Sequence, residues 1–274
     1  MIARLAINPG RERTYAAGLG RAFGGALIFA FPLLMTMEMW AFGVAIPPAR
    51  LIALVLLGLP LLYGLSDYAG FDARRGWRND LFNTLSALAV GFATAAAFLA
   101  LFGLLGPDVT AAEAMGRITL QGVPAAIGAT LARRQLSAGA EEGAEDTAPY
   151  YGELFLMAAG ALVLAFNVAP TEEVILIAWQ MAGWQILLLA LLSIVLLHLL
   201  VFSVGFAGQE SASHPGAALF LFTIVGYAIA LLVSLFVLWV FGRLDGQAPA
   251  MIVSTTAVLA FPAALGAAVA RLLV

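Results

Sequence analysis

Residues 25–38 read GALIFAFPLLMTME, and residues 160–173, 135 positions later, read GALVLAFNVAPTEE. Without a gap, this register superposes Thr36 and Glu38 on Thr171 and Glu173, and further along it places Gly70-Phe71 on Gly205-Phe206 and Val90-Gly91 on Val225-Gly226. A small insertion then brings Pro124-Ala-Ala-Ile-Gly128 over Pro262-Ala-Ala-Leu-Gly266, and Arg133 over Arg271. Alanine and leucine coincide by chance in any apolar chain, so the weight rests on polar, glycine and proline matches that keep their order. The pattern predicts a duplication, with a first unit at residues 1–136 and a second at 150–274.

The composition sets the solvent for these units. Apolar residues make up 63% of the chain and charged residues 11%, and the mean hydropathy is +1.00, a balance unsuited to a water-facing surface. A helix spanning the hydrocarbon core needs about 20 largely apolar residues. Eight such stretches are present, at 23–46, 51–71, 82–106, 112–133, 154–181, 184–206, 217–242 and 250–273. The expected fold is all-α: a polytopic membrane protein of eight transmembrane helices arranged as two four-helix repeats. Four spans per unit is an even number, so both units enter the membrane in the same direction and form parallel repeats. The stretch at 112–133 carries Glu113, Arg117 and Gln121 and, taken alone, also suits an amphipathic helix lying on the bilayer. Between the units, 137–149 lacks bulky apolar groups and holds Glu141, Glu142, Glu145 and Asp146, as expected for a solvated cytoplasmic linker.

Orientation rests on arginine, because the chain has no lysine. Arg4, Arg11, Arg13, Arg21, Arg74, Arg75, Arg78, Arg133, Arg134 and Arg271 all fall on one side of an eight-span arrangement. Arg50 and Arg243 fall in short loops on the other. Cytoplasmic N- and C-termini in a bacterial inner membrane follow. The chain also has no cysteine, which excludes disulfides, thiolate metal sites and cysteine nucleophiles. Its first apolar run is too long for a cleaved signal.

Ionisable groups inside apolar stretches are costly and usually face a cavity, a partner or a transport route. Glu38 and Glu173 lead, since the repeat relates them and each follows a threonine by two positions. Carboxylate and hydroxyl oxygens suit hard cations, so this pair is the candidate metal site, with Ca2+ or Na+ as the bound ion and no other cofactor expected. Pro32 and Pro170 lie just upstream and free backbone carbonyls, as in the ion sites of transporters. A continuous helix would put both glutamates roughly 12 Å inside the outer face. Thr36, Thr171, Glu172, Asn167, Arg117, Asp67 and His198 complete the candidate ion pathway. Each has a plainer reading too. The glutamates neutralise by protonation or brace the halves; Arg117 is a counter-ion for the acidic cluster or the partner of Glu113; His198 bonds a neighbouring helix; Asp67 meets Arg74 or Arg75. Trp40, Trp179 and Trp184 read as interfacial belt residues, and Glu153 as a helix N-terminal charge.

Two resemblances add to this. FPLLMTMEMW (31–40) and FNVAPTEEVILIAW (166–179) are similar to an uncharacterised bacterial polytopic integral-membrane family without an assigned function. Ala169-Pro170-Thr171-Glu172-Glu173 resembles the double-glutamate motif of the CAAX-processing membrane proteases, which implies an intramembrane hydrolase using Glu172, Glu173 and His198. The arginine that family places shortly after the glutamates is replaced here by Val174-Ile-Leu-Ile-Ala178. The leading expectation is therefore a non-enzymatic cation channel or cation-coupled transporter for Ca2+, Na+ or H+, with membrane lipid as surroundings, no nucleic-acid partner, and a homo-oligomer left open. A glutamate-dependent hydrolase and a structural membrane protein are the alternatives.

Overall fold

The computed structural model describes residues 9–69, 76–137, 150–203 and 219–272, with side chains placed over 18–66, 76–132, 150–201 and 219–271. The 138–149 part of the acidic linker, the Asp67 side chain, and most of the arginines used for orientation lie outside these ranges.

The described chain is helical and contains no strand. The first expected span is two helices, α1 (Pro9–Leu34) and α2 (Met37–Ala45), bent by 87° at the break between them. Next come α3 (Pro48–Ala69), α4 (Trp77–Leu101) and α5 (Ala111–Ser137). The fifth expected span is also divided, into α6 (Tyr150–Val168) and the eight-residue α7 (Glu173–Gln180). After α8 (Gly183–Ser203), a π-helical turn at Leu219–Ile224 runs directly into α9 (Val225–Val240), and α10 (Pro249–Leu272) closes the described chain.

Six of these helices are long and apolar enough to cross a membrane, and a seventh span is added if the bent α1–α2 pair counts as one. The helix at 111–137 is not among the six, and burial explains why. From Thr119 to Ala132 every residue of α5 is buried, packed by α1, α2, α3 and α4. A helix that touches protein on all sides needs no lipid-facing apolar surface, so it tolerates Glu113, Arg117 and Gln121. It lies inside the bundle rather than flat on a membrane. The outer surface is the reverse: Ile28, Leu56, Leu187, Leu191 and Leu232 are exposed while Thr94, Gln121, Ser193 and Thr223 are buried. Apolar groups outside and polar groups within is the arrangement that lipid favours.

Close helix crossings are made by glycine. A side chain at Gly25 of α1 would strike the Gly128 carbonyl of α5, and one at Gly128 would strike the Gly25 carbonyl. Gly160 of α6 and Gly266 of α10 meet in the same reciprocal way. These are the positions that the internal alignment superposes. Small residues let backbones approach where apolar burial alone cannot drive association. One apolar core continues across both halves, joining Leu62 and Ile127 to Leu156, Phe166 and Leu259. A second, smaller cluster gathers Ala26, Ala30, Ala87, Leu99 and Ala129 between α1, α4 and α5.

Candidate functional site

Both helix breaks are built by proline, threonine and carbonyl groups. At the first, Pro32 has no N–H to continue the ladder, and its carbonyl accepts the Thr36 hydroxyl at 2.6 Å. The Trp40 indole N–H reaches back to the Leu34 carbonyl at 2.8 Å, so this half-buried ring fastens α2 to the end of α1. Trp179 and Trp184 are exposed, 79% and 66%. Glu38 lies in the first turn of α2. Because α2 turns away from α1, Glu38 sits beside the break instead of one continuous helix's depth from the outer face. A Cβ on Gly43 would fall 2.7 Å from the Arg117 Cα, so α2 lies directly on α5.

At the second break, the Thr171 hydroxyl donates to the Val168 carbonyl at 2.8 Å and the Asn167 amide donates to the Val163 carbonyl at 2.8 Å. Glu173 begins α7 with its carboxylate beside its own N–H and the Thr171 hydroxyl.

The residue that ties the breaks together is Arg243, which sequence reasoning had left in an outer loop. It projects from the turn between α9 and α10, where Gly242 and Gly246 adopt φ of +71° and +72°. Its guanidinium donates to the Pro170 carbonyl, lies 4.9 Å over the Phe42 ring and stands 3.9 Å from the Glu172 carboxylate. Glu38 and Glu173 are within its electrostatic reach. Burial holds the Arg243 guanidinium below the usual arginine range, an effect that Glu172, Glu38 and Glu173 offset only in part. Its side chain is 15% exposed against 85% for Glu172, so the cation is sheltered and the carboxylate faces outward. Phe241 packs edge-on to Phe42 at 5.1 Å and to Phe166 at 5.4 Å, giving the site an apolar floor shared by both halves. Beside it, Arg50 of α3 binds Asp245 at 2.7 Å and lies 5.3 Å over Trp239. Arginine in short outer loops was the available signal for both contacts; nothing in it said that the loop folds inward.

Arg117 lies within electrostatic reach of Glu113, one of its two expected partners. It donates to the Leu104 carbonyl, while Glu113 forms a capping box with Thr110, accepting from the Thr110 N–H at 2.9 Å and donating its own N–H to the Thr110 hydroxyl at 3.3 Å.

His198 is remote from the glutamates. Its Nδ1 is 2.8 Å from the Thr223 hydroxyl on the π turn, at the opposite end of the 16-residue α9 from Arg243, about 24 Å at the helical rise. At that same end Glu153 is not a free helix-start charge. It pairs with Arg271 at 2.8 Å, both side chains being nearly buried, and Arg271 lies 4.2 Å over Phe222. Among the described residues no group of three or more histidine, aspartate or glutamate side chains comes together as a metal-binding set.

A family described as "Putative integral membrane protein (DUF2391)" matches residues 18–274. The chain belongs to the DUF2391 family. The match covers both helix breaks, Arg243 and His198, so every feature of the site lies in DUF2391 sequence. It gives no link to the CAAX-processing proteases, and the separation of His198 from Glu172 and Glu173 removes the constellation that the five-residue similarity implied. No curated protein and no solved structure matches the chain.

Proposed function

We propose that this DUF2391 protein is a cation transporter or channel whose route passes between two parallel four-helix repeats, at the site where Arg243 stands beside Glu172 with Glu38 and Glu173 within its electrostatic reach. The observation that carries the reading is the placement of these carboxylates at two broken helices around one tethered cation. Broken helices with freed carbonyls are how membrane transporters place polar backbone at depth. The duplication is supported by the sequence register and by the matching Gly25–Gly128 and Gly160–Gly266 crossings. On this reading α1–α2 and α6–α7 each serve as one broken span, α5 is a span sheathed in protein, the total is eight, and the arginine distribution puts both termini in the cytoplasm of a bacterial inner membrane.

The chemistry is competition. An incoming Ca2+, Na+ or proton competes with the Arg243 guanidinium for the field of these carboxylates. Occupancy then changes the contact of Arg243 with the Pro170 carbonyl and so the geometry of the second break. Thr36, Thr171 and Asn167 hold the breaks through their backbone bonds, and Arg117 secures α5 to the Leu104 turn; these four act as positioning groups.

Purified protein in liposomes, challenged separately with Ca2+, Na+, K+ and H+ gradients, tests the proposal. Flux above empty liposomes that Glu38→Gln and Glu173→Gln each lower at least tenfold supports it. Flux unaffected by either substitution sinks the assigned route, and no flux with any ion sinks the function.

A further inference from the structure

The π turn at Leu219–Ile224 is gripped by three helices at once. The Tyr150 hydroxyl of α6 donates to the Leu221 carbonyl at 2.9 Å, the Phe222 ring packs against Tyr150 at 5.5 Å and under Arg271 of α10 at 4.2 Å, and His198 of α8 meets Thr223 at 2.8 Å. π turns carry one residue more than the α-helix accommodates and frequently mark sites of conformational change. The stretch of α4 that the repeat register superposes on this turn is ordinary helix, and the position matching His198 is Tyr63. The device is therefore confined to the second half.

Thr223 is bonded differently from Thr84, Thr94 and Thr130. Thr84, Thr94 and Thr130 each donate to the carbonyl four residues back, the usual alternative for a hydroxyl in a helix. Thr223 is engaged by imidazole instead.

We propose that His198 and Thr223 form a proton-operated latch that holds Leu219–Ile224 in the π form and lets it revert to α-helix when His198 is protonated. A neutral imidazole can accept the Thr223 proton at Nδ1. A protonated ring carries N–H at both nitrogens, so Thr223 must accept, and its own O–H swings to the Leu219 carbonyl as the hydroxyls of Thr84, Thr94 and Thr130 do to theirs. Losing the extra residue turns the preceding segment by about 100°, which withdraws the Leu221 carbonyl from Tyr150 and Phe222 from Arg271. The ionisable groups on the elements packed against α8 are Tyr227 of α9 and Arg271 of α10. Arg271 is paired with Glu153 of α6.

The cysteine-free chain permits a nitroxide scan of positions 219–224 in full-length protein in nanodiscs, with exposed Leu232 as the reference. The oxygen-accessibility maximum, expected near Phe220 at pH 8, should shift by one residue at pH 5.5. His198→Gln should abolish the shift, and Thr223→Val should fix one pattern at both pH values. An identical pattern at both pH values in the unsubstituted background, or an equal shift in the His198→Gln background, overturns the latch.

Discussion

At the scale of single residues, Arg50, Arg117, Arg243 and Arg271 make contacts that their sequence positions did not indicate. Arg271 is the clearest. As one member of a buried pair with Glu153, it cannot be removed alone without stranding a carboxylate. Arg271→Leu should destabilise the protein by about 3 to 5 kcal/mol, and adding Glu153→Leu should recover much of that loss; thermal unfolding in detergent reads both. Arg50 and Asp245 are the exposed contrast. The hydrogen bond and charge of Arg50 hold the Asp245 carboxyl below the usual aspartate range. A depressed carboxyl stabilises the fold above its unfolded value and loses that effect as pH falls through the folded one. The stability difference between the native protein and Asp245→Asn should therefore persist at pH 5 and vanish only below about pH 3.9.

At the scale of elements, the positions of the helices were legible and their continuity was not. All eight apolar stretches coincide with helix to within several residues, except that the stretch at 23–46 is already helical from Pro9. Hydropathy carries no information about direction, so 23–46 and 154–181 each read as one rod although proline and threonine divide them. Pro32, Pro170 and the two Thr-x-Glu triplets were visible signals. What could not be read was that Trp40 would cap the Leu34 carbonyl and fix the bend. Trp40→Phe keeps the ring and deletes that donor, and should cost about 1 kcal/mol in unfolding free energy. The internal register aligns Gly25 with Gly160 and Gly128 with Gly266, and each sits at a crossing with no room for a side chain. Gly25→Val and Gly266→Val each force a side chain into a backbone carbonyl and should lower stability by about 1 to 3 kcal/mol or more, measured as loss of monodisperse protein on size exclusion.

At the scale of the whole molecule, the candidate site was half legible. Glu38 and Glu173 stood out in the sequence because a carboxylate that recurs at one shift in an apolar setting is conspicuous. Arg243 was missed because a lone arginine in a short loop has no periodicity to show which way it points, and Arg117, placed within a helix, looked the better counter-ion. The arrangement makes one chemical claim: carboxylates from both breaks act as a single unit around Arg243. Groups that act as a unit are non-additive when removed in turn. The most direct test is the cation flux of Glu38→Gln, Glu173→Gln and the double substitution, compared as a cycle in the same liposomes. A double variant within about twofold of the slower single is the predicted result. Losses that multiply, or a flux that ignores both glutamates, would contradict it.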